Sequence, residues 1–297
     1  MVSDTNRYMI VVRLRLSDCW LDLATVGQVS TVHSVVDDRG VATITVDHPP
    51  INLITMEVFF ELGATIQELA DDDSVRAVVI RSANPEWFLA HFDVEAIQQF
   101  PRVQAIPTEI GPYDQMCETL RAMPKPTIAV IAGRVGGGGS ELALGCDMRF
   151  ATPDAIFSQP EVALGIVPGA GGTVRLPRLI GRSRALEVVL GCDDIDAATA
   201  ERWGWVNRVL PADEIDAFVD RLAGRIAGFV PHAVVAAKAS VVRSEVGVEA
   251  DLLAETVAFN ATLADDETHA RMQRFLDLGG QTPEGERRLG ELAGELS

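Results

Sequence analysis

Between Gly40 and Asp47 apolar and polar residues alternate (GVATITVD), the period of a half-buried strand, and His48-Pro49-Pro50 ends it. The spacing then changes. Met56, Phe59, Phe60, Leu62, Ile66 and Leu69 recur at helical intervals and predict a helix over Thr55–Ala70, with Asp71-Asp72-Asp73 beyond it. Val75–Ser82 (VRAVVIRS) is rich in β-branched residues and reads as a second strand. Pro112–Ala122 reads as a helix closed by Pro124 and Pro126. Thr127–Ala132 (TIAVIA) is apolar throughout, as expected of a strand buried on both faces. Strand, helix, strand, helix, strand predicts βαβ units and a largely parallel sheet in an α/β fold. After about residue 180 the helical period takes over, in Ser183–Leu190, Ala197–Trp203, Ala212–Phe229, Ala233–Val242 and Val248–Leu276. The charged, glycine-containing tail Gln281–Ser297 reads as a frayed helix. The expected organisation is an N-terminal extension over 1–30, an α/β core over 31–210 and a helical C-terminal region over 211–297.

Composition narrows the function classes. A chain of 297 residues, 47% of them hydrophobic, is large enough for one sizeable core. It has no uncharged apolar run of about 18 residues, so no membrane span is expected. Asp4, Arg7, Arg13, Arg15, Asp18 and Asp22 interrupt every apolar stretch near the start, so no secretory signal is expected there. Met9–Leu16 reads as a strand or an extension ahead of the core. Cys19, Cys117, Cys146 and Cys192 lack C-x-x-C spacing, which points to reduced thiols in a cytoplasmic protein. The five dispersed histidines form no motif, so no metal is expected. A net charge of −18 argues against nucleic acid or an anionic membrane as partner. Lys125 and Lys238 are the only lysines, so an anionic ligand would need local arginines or backbone N–H groups.

The densest signal is Pro124–Gly181, with GRVGGGGSELALGCD (Gly133–Asp147) and FSQPEVALGIVPGAGGTVRLPRLIG (Phe157–Gly181). An isolated GGGG would read as a linker. Here both flanks are apolar, so Gly136–Gly139 reads as a strand-to-helix turn where backbone must approach something closely, with Ser140 onward helical. A dinucleotide G-x-G-x-x-G fails at Glu141 and at Val174, a nucleophile elbow fails at Leu142, and no P-loop motif occurs. What remains is a helix N-terminus able to hold a developing negative oxygen, with Glu141 in its first turn. Glu161 follows Pro160 in an apolar stretch. Taken alone, Glu141 could serve as ordinary helix-start electrostatics, and Glu161 as a turn residue or ion-pair member.

Taken together, TIAVIAG, the glycine run, ELALGCDMRFA, FSQPE and GIVPGAGGT-x-R-L resemble the crotonase (enoyl-CoA hydratase/isomerase) superfamily. The resemblance runs over about residues 32–210 and includes GVATITVDHPPINLIT and DDSVRAVVIRSANPEWFLAHFDVEAI. It implies a crotonase-like superhelix of ββα units with a helical trimerisation region, and a homotrimer or homohexamer. It also implies an acyl-CoA thioester as substrate, and no cofactor beyond the coenzyme A that the substrate carries. Glu141 and Glu161, twenty positions apart, match the two glutamates of hydratases, the first activating water and the second protonating C2. Gly138 and Phe92 match the two N–H donors to the thioester oxygen. Ala90, His91, Asp93, Gly137, Pro168, Gly169 and Gly172 match positions lining the substrate. Isomerisation, thioester or β-diketone hydrolysis, and a non-catalytic acyl-binding trimer are the competing readings.

Two departures from the family pattern carry expectations of their own. The usual A-G-A-D reads Ala90-His91-Phe92-Asp93. Histidine in place of glycine would strain a backbone that needs positive φ, and His91 is expected at the surface, the alternative being a new polar group near the thioester. Asp194 stands where an arginine commonly approaches the coenzyme phosphates, leaving Arg81, Arg121, Lys125 and Arg134 as candidate substitutes.

Overall fold

The structure is a computed structural model describing residues 30–102 and 106–296. The chain divides into two units, Met1–Ser30 and Thr31–Ser297, and the second is described below. The expectations for Met9–Leu16 and Cys19 lie outside the described residues.

Two sheets form the core. The larger has strand order β1 (Val32–Val36), β2 (Val41–Val46), β3 (Ala77–Ser82), β5 (Thr127–Ile131), β7 (Met148–Ala151) and β10 (Arg208–Val209), and all its pairs are parallel except β1 with β2. The smaller runs β4 (Trp87–Leu89), β6 (Arg134–Gly136), β8 (Ile156–Ser158) and β9 (Ile195–Asp196). Successive pairs β3/β4, β5/β6 and β7/β8 each place one strand in each sheet. Stacking these turns produces the superhelix. In register, Ile80 of β3 lies beside Ile44 of β2 and Ala129 of β5, a row of fully buried side chains.

The helices follow their caps. In α1 (Met56–Asp71) the Thr55 side chain accepts from the Val58 N–H, and Val58, Leu62, Ile66 and Leu69 face the core. The Lys125 ammonium donates to the Leu69 and Ala70 carbonyls at 2.6 and 3.0 Å, closing the other end of that helix. Helix α2 is Val94–Gln98 and α3 is Pro112–Ala122. Helix α4 begins at Gly137, three residues earlier than expected, so Glu141 stands past its first turn. All nine residues of α4 are buried, because it runs between the sheets and the next helices.

Helices α5 (Gly172–Ile180), α6 (Arg182–Gly191) and α7 (Ala197–Trp203) complete the α/β part. Helix α8 (Ile215–Ala227) packs Ile215, Val219 and Ala223 against Val41, Val79 and Val130 of the larger sheet. Helix α8 therefore shares the core with the strands. The expected helix Val248–Leu276 is two helices, α10 (Val248–Leu263) and α11 (Asp266–Asp277). The Asp265 side chain caps the second by accepting from the Glu267 N–H. The tail forms α12 (Pro283–Glu286) and α13 (Leu289–Glu295), with Glu286, Leu289 and Leu292 buried rather than frayed. Among the described residues no single helix is long and apolar enough to cross a membrane.

Candidate active site

A cavity of about 310 Å³ opens between α1, α3, α4 and α10. Glu141 and Glu161 both border it, buried to 3% and 8% exposure. Glu141 projects from α4, and its Oε1 accepts the Ala170 and Gly172 N–H groups at 2.9 and 2.8 Å. Glu161 opens a 3-10 turn (Glu161–Leu164), and among the described residues its Oε2 is buried with no protein partner. Burial, first of all, raises both carboxyls. For Glu141 the neighbouring Glu161 and Glu255 add to the rise, and the two N–H donors oppose it. Glu161 reaches about 7, held back by its own N–H and by His91. Because Glu161 raises Glu141, the two carboxyls titrate as a pair and not independently.

The glycines set the floor. Gly137 has φ +41°, and a β-carbon there would sit 2.7 Å from Glu161 Oε1. A β-carbon on Gly138 would sit 3.4 Å from the Phe92 nitrogen, so the helix start and the Phe92 loop meet at this point. The Gly138 N–H is among the first four of α4, which have no partner inside their own helix. Among the described residues no protein acceptor takes the Phe92 N–H. The Tyr113 hydroxyl donates to the Gly138 carbonyl at 2.8 Å and steadies the turn from the cavity side.

Aromatic rings make the apolar wall. Phe59 stacks on Tyr113 with 5.6 Å between centroids, and Phe92 meets Tyr113 edge-on at 6.0 Å. Phe100 and Phe259 extend the wall.

Of the expected lining residues, His91, Phe92, Gly138 and Gly169 border the cavity. Gly137 abuts Glu161, and Gly172 reaches Glu141 through its N–H. Pro168 backs the loop, within 2.8 Å of where a Gly172 β-carbon would be. Ala90 and Asp93 do not border the cavity. Ala90 packs with Ile51 and Trp87, and Asp93 caps α2 through the Glu95 N–H. The surface reading of His91 is overturned. It is 4% exposed, its φ is not positive, and its Nε2 lies 3.0 Å from Glu286 Oε1. A partner carboxylate 195 positions further on makes its burial tolerable.

The four candidate phosphate contacts are engaged elsewhere. Arg81 pairs with Asp216, Arg134 with Asp194 at 2.6 Å, and Lys125 closes α1. Arg121 pairs with Glu118 and borders a separate cavity of about 490 Å³ beside α9 (Pro231–Val242), which neither Glu141 nor Glu161 lines. Among the described residues no group of three or more His, Cys, Asp or Glu side chains converges as metal ligands.

Glu255, Asp114, Tyr113 and Glu286 were not singled out from the sequence. Burial raises the Asp114 carboxyl, which borders the cavity, to about 7, and Arg175 opposes that rise. Glu255 of α10 accepts the Gly171 and Thr173 N–H groups at 2.5 and 2.8 Å. It thereby ties down the loop that presents two donors to Glu141. Glu255→Gln is expected to lower kcat about tenfold with KM little changed, since one amide oxygen cannot span both donors. Steady-state kinetics over a range of substrate concentrations checks this.

Two buried carboxyls facing backbone N–H groups across an apolar cavity define a site for acid–base chemistry beside a polarised carbonyl. The enoyl-CoA hydratase/isomerase family profile matches residues 37–281, and the chain belongs to that family. It is 33% identical over 243 residues to the crotonyl-CoA hydratase of Syntrophomonas wolfei, covering 81% of this chain and 93% of that one. It is 31% identical over 240 residues to a short-chain-enoyl-CoA hydratase of Clostridium acetobutylicum, covering 80% and 91%. The crystal structure of a candidate enoyl-CoA hydratase from Streptomyces avermitilis superposes with a TM-score of 0.82 at 39% identity, over 91% of this chain and 99% of that one.

Proposed function

We propose that this chain, a crotonase-type enzyme acting on acyl-CoA thioesters, adds water syn across a 2-enoyl-CoA. The enoyl thioester lies with its carbonyl oxygen at the Phe92 and Gly138 N–H groups. Glu141, fixed by the Ala170 and Gly172 donors, takes a proton from water as the water oxygen bonds to C3. Electron density moves to the thioester oxygen, where the two N–H groups hold it, and returns as Glu161 protonates C2. Losing one such donor typically costs about 10²–10³ in rate. The single observation that carries the reading is the pair of buried carboxyls on one cavity, with one oxygen of Glu141 accepting two N–H groups and one oxygen of Glu161 without a protein partner. The two N–H donors favour the charged form of Glu141 and suit it to the base, against burial and its acidic neighbours, which raise it; Glu161, raised to about 7, can carry the proton for the acid step.

The aromatic wall receives the acyl group. Coenzyme A enters as part of the substrate, and no metal or redox group is called on. Assembly as a trimer or hexamer fits α9, whose residues are all at least partly exposed although most are apolar, beside the exposed Phe229 and Val230. Buried free thiols at Cys117, Cys146 and Cys192 suit a reducing, cytoplasmic setting.

The test is product analysis with crotonyl-CoA and longer 2-enoyl and 3-enoyl esters. 3-Hydroxyacyl-CoA is the expected product of the 2-enoyl esters. Double-bond migration without hydration, or release of free coenzyme A, would overturn the assignment in favour of isomerisation or hydrolysis.

A further inference from the structure

The His91 imidazole sits where the family pattern has glycine, and the C-terminal segment reaches back across the fold to meet it. Two further contacts bind that segment to the same loop, and a third links Gln281 to Glu286 within the segment. Gln281 Oε1 accepts the Val94 N–H at 2.5 Å, Gln281 Nε2 donates to Asp93 Oδ1 at 3.1 Å, and Glu286 Oε1 accepts the Gln281 N–H at 2.8 Å. On its other side the imidazole Nδ1 lies 2.8 Å from the Phe92 carbonyl. Phe275 of α11 closes the space with its ring at 5.9 Å. Gly137 separates His91 from Glu161. A β-carbon there would lie 3.1 Å from His91 Cβ and 2.7 Å from Glu161 Oε1.

We propose that the buried His91–Glu286 pair is a positioning device: it fastens the C-terminal segment onto the loop carrying the Phe92 N–H and keeps a positive charge beside Glu161. The proposal rests on the hydratase reading only for its kinetic consequences. The charged groups around the imidazole are Glu286 from α12, Glu161 from the 3-10 turn and, across the cavity, Glu141 from α4, while Arg134 of β6 acts on Glu286. Burial alone would strip the proton from His91. The Glu286 carboxylate, with the Phe92 carbonyl and Glu161, outweighs burial and holds the imidazole up at about 9, while Glu286 is lowered against its own burial. The imidazolium in turn opposes the rise of Glu161.

This arrangement makes two demands. A loop fastened in part through this buried pair should loosen when either partner is lost. A cation beside Glu161 should set where that acid stops being protonated.

The experiment compares His91→Gln, Glu286→Gln, the double variant and Glu286→Asp in the full chain. It measures hydration of crotonyl-CoA across pH, and backbone hydrogen exchange over residues 88–96 and 281–296. Either single glutamine variant is expected to lower kcat about tenfold, with KM changed by less than about threefold. The double variant should lose about as much as the worse single one, because both break one unit. The basic limb of kcat should move upward by about half a unit or more, since a neutral neighbour lets Glu161 keep its proton longer. Glu286→Asp retains the charge and should leave that limb in place. Glu286→Gln should speed exchange across 88–96, a segment nearly two hundred residues away in sequence. Unchanged kcat and an unmoved limb in both glutamine variants, or losses that add in the double variant, would overturn the proposal. If the wild type hydrates nothing, the hydratase reading fails and exchange alone decides the fastening. Equal exchange over 88–96 in wild type and Glu286→Gln then rejects it.

Discussion

Glu161→Gln is expected to lower kcat for hydration by about 10³, and Glu141→Gln by a similar factor, with KM altered far less. Both substitutions keep shape and volume, so the loss isolates the proton-transfer roles. In the wild type Glu161 must be protonated to deliver its proton to C2. Its carboxyl is held up at about 7, so kcat should fall as pH rises through that region. Glu161→Gln should remove this limb together with the activity. Stability should move the other way. A carboxyl raised from 4.5 to about 7 on folding binds more protons folded than unfolded between those values, so it withdraws stability as pH rises across that window. Glutamine does not titrate. The variant should therefore be at least as stable as wild type at pH 8, by thermal or denaturant unfolding. A dead but stabilised variant is what a strained catalytic group predicts. A variant with near-wild-type turnover would remove Glu161 from the chemistry.

That pair was legible in the sequence because each glutamate sits inside a local backbone device. Glu141 follows a glycine run placed between a fully apolar strand and an apolar helix, and Glu161 follows Pro160 in the next turn. Short-range patterning also found the long elements, α1, α3 and β5, whose buried faces repeat over several turns or throughout a strand. It did not name β6, β8, β9 and β10, which have only two or three residues each and so no period to read. The supporting carboxylates escaped for a different reason. Glu255 acts on Gly171 from 84 positions away and Glu286 on His91 from 195, and nothing local marks either as buried. His91 was visible as a departure from the family pattern. Its environment was not, because the side chain that neutralises it lies in a tail whose charges suggested solvent.

Neighbouring glycines of the run should fail in different ways when given a methyl group. At Gly137 an alanine must adopt φ near +41°, at a cost of about 1–2 kcal/mol, and its β-carbon would lie 2.7 Å from Glu161 Oε1. That carboxyl ends a side chain and can swing away, so the chain should still fold. The acid would leave its place, and displacement of about 1 Å can cost about 10² in kcat. At Gly139 the backbone is ordinary helix, but a β-carbon would lie 2.2 Å from the Leu89 carbonyl oxygen. Leu89 is strand backbone, fully buried, and cannot yield without moving β4 away from α4. Gly139→Ala should therefore cost about 2–4 kcal/mol of folding stability, more than the smaller penalty at Gly137. Thermal unfolding and steady-state kinetics on the two proteins separate the outcomes. Gly137→Ala is expected to melt within a few degrees of wild type with kcat collapsed, and Gly139→Ala to melt far lower or to accumulate poorly. The reverse ordering would mean that Glu161 is not where turnover requires it, since a methyl group beside its carboxyl would then be harmless.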